Sequence, residues 1–155
     1  MALKTFLSLA AVLSIGFATP QVAADTFVDA ADTVTYRQHA FSMIAGNFGI
    51  MAGMVRGEIT YDPAVFQQHA NAVQHLANIP LAAFTGVGEG ATTDSDALPA
   101  IWNNWSDFEN KMNNLIKASA ELAVAAESGA IRTIAPKFLA TAGTCKQCHD
   151  NYRAD

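Results

Sequence analysis

Near the carboxyl end of the 155-residue chain, residues 145–153 read CKQCHDNYR. Cys145 and Cys148 are its only two cysteines, and His149 follows the second directly. On a helix these three side chains share one side. Three chemistries use such residues. A thioredoxin-like redox pair opens a helix that follows a strand, and nothing upstream of Cys145 reads as a strand. A structural zinc site takes four ligands, and this cluster offers three, with no second cysteine pair. Covalent haem attachment uses Cys-x-x-Cys-His: the two sulfurs form thioethers with the vinyl groups, and the imidazole ligates the iron from one side. Attachment of that kind takes place outside the bacterial cytoplasm, so the targeting of the chain bears on the choice.

The first 24 residues, MALKTFLSLAAVLSIGFATPQVAA, place one lysine, Lys4, before an apolar run from Thr5 to Ala18. Val22-Ala23-Ala24 then suits a cleavage site. Residues 1–24 read as a secretory signal peptide, with Asp25 as the new first residue; a retained membrane anchor is the competing reading. Export to the periplasm favours the haem reading of CKQCH. Residues 25–155 suit one domain with one core. They hold eight of the nine basic side chains and all fourteen acidic ones. The positive charges are scattered, which argues against a nucleic-acid partner.

The elements that must position the motif follow from apolar spacing. From about 26 to 57, Arg37, Phe41, Ile44, Phe48, Met51 and Val55 step by three or four along one helix face. Asp62-Pro63 starts a second helix, striped by Phe66, Ala70, Val73, Leu76 and Ala77 and ended by Pro80. Residues 81–98, rich in Gly, Thr and Asp, read as a long crossover loop. A third helix runs from Pro99 to about Glu127, closed by Ser128-Gly129. A fourth runs from about Ala130 to Tyr152, and Pro136 inside it implies a kink or a late start. The expected fold is all-α: an antiparallel, up-down-up-down four-helix bundle carrying one covalently bound haem. Phe138, seven residues before Cys145, falls on the haem-facing side and is expected to pack on the ring.

Six stretches carry a family resemblance: YRQHAF (36–41), NFGIMAGMVRGE (47–58), YDPAVF (61–66), IPLAAF (79–84), PAIW (99–102) and CKQCHDNYR. With them, residues 30–155 resemble cytochrome c′, a class II c-type cytochrome. The resemblance implies haem c held by Cys145 and Cys148, with His149 as the proximal iron ligand. It places Arg37 near a haem propionate, Phe41 over the vacant distal face and Arg153 beside the ring of His149. It also implies pairing as a homodimer through the first two helices. Leu81 departs from the family, whose members often have tryptophan there, and the 85–98 loop is longer than usual.

Whether such a protein carries electrons or binds gas turns on what faces the iron from the first helix. Met43 lies two residues past Phe41, about 200° around the helix, and points away. Met51 and Met54 lie too far along the axis and read as filler for the core or a dimer contact. His39, His69 and His75 read as surface or capping residues. The expectation is a five-coordinate, high-spin haem that binds nitric oxide and carbon monoxide, to buffer or scavenge nitric oxide, with electron exchange with redox proteins as an added role. Phe41 offers no hydrogen-bond donor, which disfavours dioxygen. The rival reading is a six-coordinate, low-spin electron-transfer cytochrome. Enzyme chemistry of the peroxidase kind wants a distal acid–base histidine with an arginine; no histidine pair is placed for it, so the chain is not expected to be an enzyme.

Overall fold

The computed structural model describes residues 27–154; the signal-peptide expectation for 1–24 lies outside them. Four long helices form the bundle. The first, α1 (Ala30–Arg56), starts where the Asp29 carboxylate accepts a hydrogen bond from the Asp32 amide at 2.9 Å and stops at Gly57, whose φ of 75° only glycine adopts freely. In the second, α2 (Pro63–Leu76), Asp62 caps the amides of Ala64 and Val65, as its Asp-Pro start requires. A one-turn helix, α3 (Ala100–Asn103), precedes α4 (Trp105–Ala126), and α5 (Ile131–Tyr152) carries the cysteines. No described helix is long and apolar enough to cross a membrane.

Three expected boundaries differ. The second helix ends at Leu76, short of Pro80, and Asn78 turns its amide back onto the Gln74 carbonyl. The expected crossover loop holds two short 3-10 helices, Pro80–Phe84 and Gly86–Gly88, and buries Phe84. The third helix is interrupted at Asn104 (φ −130°, ψ 46°). There the Asn104 side chain competes for the Ala100 carbonyl, and the Trp102 indole N–H donates to the Phe84 carbonyl at 2.8 Å. Pro136 does not delay the start: α5 begins at Ile131 and runs through it. Pro136 is exposed, so water can satisfy the Arg132 carbonyl that its missing N–H leaves free.

Packing divides the bundle lengthwise. α1 packs on α2, α2 on α4, and α4 on α5. At one end Phe48 of α1 stacks on Phe138 of α5, centroids 4.4 Å apart, with Phe66 of α2 edge-on to Phe138. Met51, Val73, Leu122 and Ile134 complete that core. At the other end a second cluster of Phe84, Ile101, Phe108, Met112 and Tyr152 leans on α4. Phe41 touches both clusters. There α1 and α5 stand apart, and the gap between them is the site.

Candidate functional site

The gap is a cavity of ≈ 310 Å³. Its α5 wall presents Cys148, His149, Tyr152 and Arg153; its α1 wall presents Arg37, Phe41, Ser42 and Ala45. The spacing of these residues is that of one helix face on each side. Cys145 lies one turn below Cys148, its thiol against the Thr141 carbonyl at 3.6 Å. Both thiols are free. Burial pushes the Cys145 thiol up, and burial carries Cys148 to about 11. Such thiols stay protonated at neutral pH, the reverse of a redox-active cysteine. Among the described residues no three His, Cys, Asp or Glu side chains come together to hold a metal ion. Burial, with Arg153 adding to it, holds the His149 imidazole below its usual range, so it is neutral at pH 7 and can donate its lone pair.

Arg37 is buried, 1% exposed, against the alternative of a solvated surface arginine. Its guanidinium donates to the Ala83 carbonyl (3.3 Å), the Ala91 carbonyl and the Ser95 hydroxyl (3.3 Å), and lies over the Phe84 ring at 4.4 Å. No carboxylate among the described residues pairs with it. A buried charge without a counter-ion is costly, and burial lowers its pKa accordingly. A buried cation on the wall of a mainly apolar cavity invites an anionic substituent. Two free thiols, a neutral imidazole and this uncompensated cation together fit haem, an apolar ring that bears two vinyl groups and two propionates.

The other expected site residues are placed as follows. Phe41 lines the cavity and meets Phe84 edge-on at 6.4 Å. Arg153 lines its mouth and pairs with Asp96 at 3.1 Å. Phe138 is not at the cavity: it belongs to the opposite core, stacked on Phe48. The correction has a simple cause. Seven residues return a side chain to the same face but move it about 10.5 Å along the axis, past the gap. Among the other candidate ligands, Met51 and Met54 are core residues, and Met43 is exposed. His69 bonds Asn47 and His75 bonds the Asn71 carbonyl.

Two contributors escaped the sequence reading. Tyr152 is 5% exposed and donates its hydroxyl to Asp107 at 2.6 Å. Burial first, then that carboxylate, carries it to about 12. Its position four residues after Cys148 was a readable signal. Asp96 had none, because it reaches the cavity from the crossover.

The family model described as Cytochrome C' matches residues 32–153. A cytochrome c' of Alcaligenes xylosoxydans is 34% identical over 82% of this chain and 97% of its own length. The solved cytochrome c prime of Shewanella frigidimarina superposes with a TM-score of 0.79 at 40% identity, covering 84% of this chain and all of that one. A nitric oxide complex of a single-residue variant of cytochrome c prime from Alcaligenes xylosoxidans gives a TM-score of 0.76 at 32% identity, over 83% and 98% of the two chains.

Proposed function

The chain belongs to the cytochrome c′ family and carries haem c, and on that premise we propose that it binds nitric oxide and carbon monoxide at that haem, which His149 would hold from the α5 side. The cavity wall is the observation that carries this reading. Opposite α5 it offers Phe41, Ser42 and Ala45, and among the described residues no methionine, and no histidine besides His149, lines it. The haem iron supplies the bond to the gas. The chain's own residues decide which gas and how fast. Cys145 and Cys148 tether the group to α5, and His149 offers its neutral ring nitrogen. Arg37 supplies the cation for an acidic substituent. Phe41 keeps water out and withholds the hydrogen-bond donor that dioxygen needs; its ring must move to admit a ligand. The solved nitric oxide complex of a relative supports the choice of ligand.

Buffering of nitric oxide in the periplasm is the role we assign, without catalysis: besides His149, no histidine among the described residues lines the cavity to move protons. Localisation rests on residues 1–24. A homodimer through α1 and α2 draws support from Tyr36, Met43 and Ile50, which lie seven residues apart along α1 and are 44%, 50% and 37% exposed. The deciding test is the absorption spectrum of the reduced haem protein before and after carbon monoxide. A broad high-spin spectrum that shifts on addition is expected; sharp low-spin bands that ignore the gas would return the protein to the electron carriers. Phe41→Ala should speed gas binding about tenfold, a barrier drop of about 1.4 kcal/mol. Unchanged rates would remove Phe41 from the path.

A further inference from the structure

The crossover reaches both arginines of the cavity with consecutive residues. Ser95 accepts from Arg37 (3.3 Å), and Asp96 accepts from Arg153 through Nη2 (3.1 Å) and Nε (3.4 Å). Backbone pairing backs the second contact. The Ala154 amide donates to the Asp96 carbonyl at 2.8 Å, and the Leu98 amide to the Tyr152 carbonyl at 3.0 Å, as Ala97 and Arg153 form an antiparallel bridge. On the other side the crossover is tied to α1, where Gln38 donates to the Asp94 carbonyl at 2.7 Å. The end of α5 therefore does not fray: Arg153 is extended, and its amide still donates to the His149 carbonyl at 3.2 Å.

We propose that Asp96 is a positioning residue for Arg153: its carboxylate turns the guanidinium toward the mouth of the cavity, on the His149 side, while its backbone fixes where the arginine leaves the helix. Without the carboxylate a long side chain that is about half exposed has no other side-chain partner among the described residues and samples solvent. Its charge then acts on His149 from farther away and more weakly, because solvent screens it. The division of labour is specific. The backbone bridge survives any side chain at 96, whereas the direction of the guanidinium does not. This effect on the haem side of the protein rests on the function proposed above; the pairing itself is a property of the chain.

The experiment uses the haem-loaded protein, with haem content measured first, in four forms: parent, Asp96→Ala, Asp96→Glu and Arg153→Ala. Three NMR readings are taken. Hydrogen exchange at the Leu98 and Ala154 amides should be unchanged in Asp96→Ala, because the bridge needs only backbone. Exchange at the Arg153 Nε–H should quicken about two- to fivefold, the range an exposed ion pair supports. The ring resonances of His149 should move toward those of Arg153→Ala and return in Asp96→Glu. A purely structural role would instead loosen the two amides and leave Glu unable to restore the ring signals. If Nε–H exchange and the His149 ring are both unmoved by Asp96→Ala, the proposal is wrong. Should haem be absent, the function reading fails, and Nε–H exchange in the bare chain still decides the pairing.

Discussion

Tyr152 shows how much one side chain carries at this site. It closes the cavity wall beside Cys148 and spends its hydroxyl on Asp107, which also takes Lys111 at 3.2 Å. Tyr152→Phe should lower stability by about 1–3 kcal/mol, the cost of a hydrogen bond to a charged acceptor, read as a drop in melting temperature. The sign of its pH effect follows from the upward shift. The protonated phenol is the form the fold prefers, so this contribution is full below the ordinary tyrosine value of 10.0 and is lost as pH rises through about 12. An ultraviolet pH titration should find one of the three tyrosines ionising last, near 12; if all three ionise together near 10, the Asp107 contact is absent in solution. Asp107 behaves oppositely: its carboxyl is held low by Tyr152 first and Lys111 second, so its contribution is present at neutral pH and fades in acid. Residue identity was legible where spacing along α5 sufficed, as for Cys148 and His149. It misled at Phe138, because periodicity gives the face of a helix and not the height at which a neighbour meets it.

At the level of elements, the helices whose ends are written locally were readable: Asp62-Pro63 opens α2 and Gly57 closes α1. The break at Asn104 and the 3-10 turns of the crossover were not, because distant partners set them, Trp102 on Phe84 and Arg37 on Ala83 and Ala91. Gly88 tests that seating. A Cβ there would strike the Ala83 carbonyl oxygen and come within 3.2 Å of the Thr33 hydroxyl, so Gly88→Ala should cost about 1–3 kcal/mol. A variant that melts with the parent would mean the crossover is held elsewhere. Pro136 makes the contrary prediction. Restoring an amide at an exposed helical position should stabilise α5 by about 2 kcal/mol net of the greater freedom alanine gives the unfolded chain. Thermal unfolding of Pro136→Ala checks the sign.

For the whole molecule, the notable relation is between α1 and α5, which meet through Phe48 and Phe138 at one end and part at the other. The four-helix order was legible because each stripe asks for a partner; where the stripes fail to meet was not, since a gap is a property of the assembled packing. Arg37 bridges that gap indirectly by holding the crossover across it. Arg37→Met should therefore loosen residues 85–95, and limited proteolysis should cut there sooner than in the parent. Equal cutting would mean that the buried guanidinium is not what holds the segment. Because Cys145 and Cys148 sit on the same helix, anchoring a prosthetic group through them ties no two distant parts of the chain together. The loop so closed has only two residues between its cysteines and removes little freedom from the unfolded polypeptide. Unlike a disulfide across a bundle, the thioether links retain the group without stapling the fold. Whatever rigidity the loaded protein gains must come from filling the space between two splayed helices.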